Sequence, residues 1–281
     1  MNADALIARA GVLKRLRAFF DGRGFIEVET PVRIAAPAPE PHIDCPPAPS
    51  PSGTAYLRAS PELQMKRLLA AGMERIYQIG PCFREGEQGR RHSPEFTMLE
   101  WYRANADYMD ILSDMEALIA EILALTPPFP RLTVREAYRK LAGWDPFDAW
   151  DADRFDLDMA VKIEPGLPRG PVFLMDYPVP AASLAKLHEG AAERWELYVD
   201  GVELANAFTE LTDTDEQRRR FEAARAERRL LGEADYPLDE GFLCDLAHMP
   251  PSGGVALGVD RLVMLACGVD DIAAVRAGEM I

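Results

Sequence analysis

Apolar residues recur at helical spacing near the start of the chain. Leu6, Ile7, Ala10, Leu13, Leu16 and Phe20 return to one face, which predicts an amphipathic helix over residues 4–21. Gly22 or Gly24 then supplies a left-handed cap. The period shortens after that: residues 25–31 predict a short strand stopped by Pro31. Seven prolines between residues 37 and 51 predict an extended surface loop. A strand is expected over 54–59. Ser60 is expected to cap a helix whose first position is Pro61 and which continues from Glu62. Residues 75–84 and 95–103 read as a strand pair around a charged loop.

Beyond the pair, Met109, Leu112, Met115, Leu118, Ile119 and Ile122 mark the apolar side of a helix over 107–125. Thr133 and Glu136 form a capping box for the next helix. Residues 143–170, rich in Asp and Pro, predict only a short helix near 151–161. A buried strand follows at 171–178, then two strands within 194–211 joined at Asp200-Gly201, a favoured tight-turn pair. A charged helix is expected over 215–231, and a glycine-rich strand runs into a helix over 253–268. Strands that meet through turns, with helices in blocks, predict an α+β fold: an antiparallel sheet with helices packed on it.

Composition narrows the possible functions. The chain has 281 residues, 48% of them hydrophobic, enough for one large core, or for one core plus a small appendage. Its formal net charge of -15 argues against general nucleic-acid binding, which needs clustered Lys and Arg. Cys45, Cys82, Cys244 and Cys267 form no CxxC pair, so neither a zinc site nor a disulfide framework is expected. The N-terminus lacks the apolar core of a signal peptide, and no run is long enough to span a membrane. A cytoplasmic protein is expected.

Four groups of residues carry candidate chemistry. In residues 82–102, Arg84 ends a strand while His92 and Phe96 stand beyond a charged tip. That reads either as a solvated hairpin or as a clamp, with a guanidinium gripping an anion and an aromatic ring stacking on a base. In residues 253–262, alternating glycines demand close approach of a ligand or of another backbone. Asp260-Arg261 then opens a helix, either as a tight strand-helix turn or as a nucleotide site. Glu196, Glu203 and Glu210 are spaced by seven, which on a helix would make one solvated face. Tyr198, Val199, Val202 and the Asp-Gly turn instead favour strands, where paired carboxylates hold Mg²⁺ or an ammonium group. Asn206 and Phe208 lie among them. Glu62, in a first helical turn, also suits the helix dipole.

Taken in order, these pieces resemble the catalytic domain of class II aminoacyl-tRNA synthetases over almost the whole chain. "GFIEVETP" is similar to motif 1, "FREGEQGRRHSPEFTMLEW" to motif 2 and "GVALGVDRL" to motif 3. "SPEL", "HSPEFTMLEWY" and "ELANAFTELTD" resemble the lysine-specific branch. Motif 1 begins almost at residue 1, so no N-terminal anticodon-binding domain is expected and residues 1–281 are expected to form a single catalytic domain. The better resemblance is to the truncated lysyl-tRNA synthetase paralogues that modify translation elongation factor P.

The resemblance implies ATP and Mg²⁺ as cofactors, lysine or (R)-β-lysine as substrate, elongation factor P as acceptor, no tRNA, no membrane and a homodimer through motif 1. It implies that Arg84 holds the α-phosphate, and that Arg261 holds the γ-phosphate and covers the adenine opposite Phe96. Glu85, Gly86, His92, Ser93, Leu197 and Gly258 are the other residues expected to contact ATP. Glu196 and Glu203 are expected to bind Mg²⁺. Ser60, Pro61, Glu62, Glu100, Tyr102, Glu203, Asn206, Phe208, Glu210 and Ala256 are expected to line the amino-acid pocket. A truncated ligase acting on tRNA or another carrier, and an idle amino-acid sensor, are the alternatives. Three departures from the family pattern stand out. Gly86 replaces a Glu, Ser93 an Asn, and Ala256 a Gly, whose added methyl is expected to reshape the pocket floor toward a β-amino acid.

Overall fold

The computed structural model describes residues 3–49, 51 and 53–278. The chain divides into two compact units. One comprises Met1–Asn105, Thr212–Pro250 and Leu257–Ile281; the other comprises Ala106–Leu211 and Pro251–Ala256.

In the first unit the opening helix runs Ala3–Asp21 and buries Val12, Leu16, Phe19 and Phe20. The strand Ile26–Glu27 follows and pairs in parallel with the strand Arg75–Phe83. That strand and Glu95–Ala104 form an antiparallel hairpin with Tyr77 opposite Trp101 and Gln78 opposite Glu100. Alternation along the strands separates two faces. One carries Tyr77 and Trp101 against Phe20, whose ring stacks on Tyr77 at 4.7 Å. The other carries Phe96, Glu100 and Tyr102. The helix Glu62–Ala70 starts one residue later than the sequence predicts, with Pro61 at the cap position. Ser60 still serves this end, because its Oγ accepts from the Glu62 N–H at 2.9 Å. The expected strand over 54–59 is only Tyr56–Leu57, paired with Arg33–Ile34.

Two buried guanidinium groups tie irregular backbone to this frame. Arg58, 1% exposed, donates to the Thr30 carbonyl at 2.9 Å and the Pro81 carbonyl at 3.2 Å, joining the end of the first motif to the hairpin. Arg228, on the helix Thr214–Leu231, is completely buried. It donates to the carbonyls of Glu40 and Ile43 and pairs with Asp44, fixing the proline-rich loop. The Asp44 carbonyl in turn accepts from the Glu85 N–H at 2.7 Å. A buried charge is tolerated only when its donors are satisfied, and both groups meet that condition.

The second unit opens with the helix Tyr108–Leu123, capped by Asp107 through a capping box with Asp110. The box predicted at Thr133 and Glu136 is formed. The strands Ala191–Val199 and Val202–Thr209 pair antiparallel around Asp200-Gly201, and both turn residues have positive φ. Pro171–Pro178 lies antiparallel to Ala191–Val199 and parallel to Arg131–Thr133. Residues 143–170 hold more helix than expected: Ala152–Asp158 continues into a wide π turn, Met159–Ile163. Their apolar residues, with Tyr138 and Phe155 stacked at 4.8 Å, cover one face of the sheet. The antiparallel α+β architecture expected from the sequence is present, with parallel pairing at Ile26–Glu27 and at Arg131–Thr133.

Candidate active site

The hairpin of the first unit places the motif 2 residues. Arg84 follows the first strand, and its guanidinium carbon lies 5.2 Å from the centroid of the Phe96 ring. Its Nη1 is a long 3.4 Å from Glu87. Its Nε is buried and has no hydrogen-bond partner. Such an orphaned donor on a cation beside an aromatic ring fits an anionic group carried on a flat heterocycle. Gly86, where the family pattern has Glu, has φ of +77°. The neighbouring acid is Glu87, which faces Arg84, while Glu85 is fixed through its backbone to Asp44.

Arg261 lies in the first turn of the helix Val259–Cys267. Its Nη2 is 2.7 Å from His92 Nε2, and its Nε donates to the Arg91 carbonyl at 3.2 Å. A guanidinium has only donors, so His92 Nε2 accepts and the ring is neutral. Burial first, and the adjacent Arg261 second, hold the His92 pKa below its usual value. Asp260 is turned the other way: it is 1% exposed, pairs with Arg9 and accepts from the Thr97 N–H at 2.8 Å. Gly258 sits at the cap of this helix, where a Cβ would meet the Arg261 side chain at ordinary contact distance. Ser93 is buried, and its Oγ accepts from Arg276 Nη1 at 3.1 Å.

A carboxylate pocket shares the hairpin face with Phe96. Glu100, 1% exposed, accepts from Ser60 Oγ at 2.6 Å and from the Tyr102 hydroxyl at 2.9 Å. Glu62 pairs with Lys66 at 2.5 Å. Burial, then the charge of Glu62, pushes the Glu100 carboxyl up to about 8. Acids held this close together in a dry site suit an ammonium ligand. Lys66, itself 1% exposed, is absent from the sequence-predicted site, although its place four residues after Glu62 on a helix is the available signal. Pro61 contributes by starting this helix.

In the second unit Glu196, Glu203, Asn206 and Phe208 share one sheet face: Asn206 lies opposite Glu196, Phe208 opposite Arg194, and Glu203 opposite Tyr198. Glu196 accepts from the hydroxyls of Tyr177 at 2.6 Å and Tyr198 at 2.7 Å, and pairs with Arg194 at 2.5 Å. Leu197 points to the opposite face, fully buried, with its backbone between Phe173 and Ala205. Glu210 is 2% exposed, and its N–H donates to the Ser252 carbonyl at 2.8 Å. Ala256, on the strand Ser252–Gly258, is half-buried. Gly253 has a packing reason for its missing side chain: a Cβ there would stand 2.6 Å from the Asp107 carbonyl oxygen. Among the described residues no set of three or more His, Cys, Asp and Glu could hold a metal alone. Two carboxylates on one face do fit Mg²⁺, which keeps several waters and takes other oxygens from substrate phosphates.

The family model for class II tRNA synthetases (D, K and N) matches residues 1–277, and the chain belongs to that family. It is 42% identical to a lysine–tRNA ligase of Moorella thermoacetica over 93% of this chain, and spans 62% of that protein's length. It is 40% identical to an elongation factor P–(R)-β-lysine ligase of Proteus mirabilis, covering 97% of this chain and 94% of that one. A protein of the same name from Hamiltonella defensa is 38% identical with the same coverage. Among the described residues no helix is long and apolar enough to cross a membrane.

Proposed function

We propose that this chain activates a lysine-type amino acid, (R)-β-lysine in preference to α-lysine, as its adenylate and transfers the acyl group to a lysine side chain of elongation factor P. One observation carries the reading. One hairpin face presents an aromatic ring beside a guanidinium with a spare donor, and the same face, with the helix Glu62–Ala70 beside it, brings Glu100 and Glu62 into an ammonium-type pocket. Those are the two ends of an aminoacyl-adenylate.

In the first step the substrate carboxylate attacks the α-phosphorus. A carboxylate oxygen–phosphorus bond forms, the bond to the bridging oxygen breaks and pyrophosphate leaves. Arg84 and Arg261 offset charge developing on the phosphate oxygens, Phe96 stacks on the base, and Glu62 and Glu100 hold the substrate amino group. Within the second unit, Asn206, Phe208 and Glu210 are the residues suited to a side chain with a terminal ammonium. Glu196 and Glu203 would hold Mg²⁺, which when bound supplies charge neutralisation. In the second step the acceptor amine attacks the activated carbonyl, loses a proton, and AMP leaves. Exposed Ile7 and Ile26, the latter on an edge strand of the first unit, support a homodimer through motif 1.

The test is ATP–pyrophosphate exchange with α-lysine and β-lysine, followed by label transfer to elongation factor P and to tRNA. Exchange greater with β-lysine, and transfer to the factor alone, is expected. Arg84→Ala should abolish exchange in a folded protein, and Ala256→Gly should move the preference toward α-lysine. Absence of exchange with every amino acid would remove the ligase reading. Transfer to tRNA alone would assign the acceptor differently.

A further inference from the structure

Arg194 is a charged residue on the candidate face that none of the roles above uses. It lies two residues before Glu196 on one strand and opposite Phe208 on the next. All three of its guanidinium nitrogens are engaged. Nη2 pairs with Glu196 Oε1 at 2.5 Å, Nε donates to Asn206 Oδ1 at 3.2 Å, and Nη1 donates to the Ala181 carbonyl at 2.7 Å. The guanidinium carbon lies 4.2 Å from the centroid of the Tyr177 ring. Tyr177 itself donates to the other oxygen of Glu196. The group is thus anchored to backbone, clamped by an aromatic ring, and forked between two side chains that serve different ligands.

We infer that Arg194 is a positioning residue that sets Glu196, on the nucleotide side, and Asn206, on the amino-acid side, in one fixed geometry. The inference rests on the function proposed above, which gives those two residues their ligands. The planar fork is what lets one cation fix two acceptors. Lysine in its place supplies a point charge on a flexible stem. It can keep the pair with Glu196 but cannot also hold Asn206 and the Ala181 carbonyl at the observed spacing. Removal of the charge leaves Glu196 held by two phenols alone.

The experiment compares Arg194→Met and Arg194→Lys with the parent chain, each first shown to be folded by its thermal transition. Steady-state exchange gives KM for Mg·ATP and for the amino acid, and Mn²⁺ titration in the presence of a non-hydrolysable ATP analogue gives metal affinity without turnover. In Arg194→Met both KM values should rise about tenfold or more and Mn²⁺ binding should weaken by a similar factor. In Arg194→Lys the Mg·ATP KM and Mn²⁺ affinity should recover to within about threefold of the parent, while the amino-acid KM stays raised. Unchanged KM values in folded Arg194→Met, or equal recovery of both in Arg194→Lys, would overturn the inference. Failure of the parent chain itself to exchange would instead sink the proposed function, and the Mn²⁺ arm still reports on Glu196.

Discussion

Glu100 shows how a single buried acid links the site to pH. Its carboxyl titrates near 8 in the folded chain, against about 4.5 for an ordinary glutamate. Between those values the folded state holds a proton that the unfolded chain has released. The stabilising contribution is therefore complete below about 4.5 and is lost as pH rises toward 8, at ~1.4 kcal/mol per pH unit. Glu100→Gln removes this dependence. Its unfolding free energy should fall less than the parent's between pH 5 and pH 8, measured by urea denaturation, and exchange should be lost. Equal slopes for the two proteins would mean that Glu100 is ionised throughout. At this scale the motif residues are legible in the sequence, because Arg84, His92, Phe96 and Arg261 lie in short strings of recognisable type. The buried cations are not. Arg58, Arg228 and Arg194 read as surface residues by composition, and Arg58 and Arg228 find their partners far away in the chain: Thr30, and Asp44 184 positions distant.

Elements are easier to read where one face is apolar and the other polar. The opening helix, the helix after Asp107 and the Asp200-Gly201 hairpin follow directly from periodicity and turn chemistry. Residues 143–170 resist, since a π turn at Met159–Ile163, and another just before them at Tyr138–Ala142, break the 3.6-residue period on which the reading depends. The strand Ser252–Gly258 is also informative. Its glycines are expected to serve either a ligand or another backbone, and at Gly253 the neighbour is backbone: the Asp107 carbonyl, with Ile111 Cγ1 also at 2.6 Å. Gly253→Ala should destabilise by about 1–3 kcal/mol, the usual cost of overpacking a close contact. Thermal unfolding checks this, and an unchanged transition would show that the helix Tyr108–Leu123 can yield there.

For the whole molecule, charge is the property that acts at a distance. A net charge of -15 repels polyanions, and only local clusters such as Arg90 and Arg91 oppose it. Bulk tRNA at about 50 mM salt should therefore show no saturable binding in a filter assay. Saturable binding that weakens steeply with added salt would reveal a basic surface strong enough to outweigh the total. Composition alone makes this repulsion legible, since the sum of charges does not depend on how the chain folds. The proposed acceptor is reached only through resemblance, because a protein lysine would leave no residue pattern in an enzyme that modifies it.

Gly86 has a further consequence for how such a chain can diverge. Its φ of +77° belongs to the left-handed region, where a side chain is strained by about 1 kcal/mol or more. Glutamate at this position would meet a backbone shaped for glycine and held in place by the Glu85–Asp44 bond. An acid is therefore accommodated here only if the neighbouring turn is rebuilt with it.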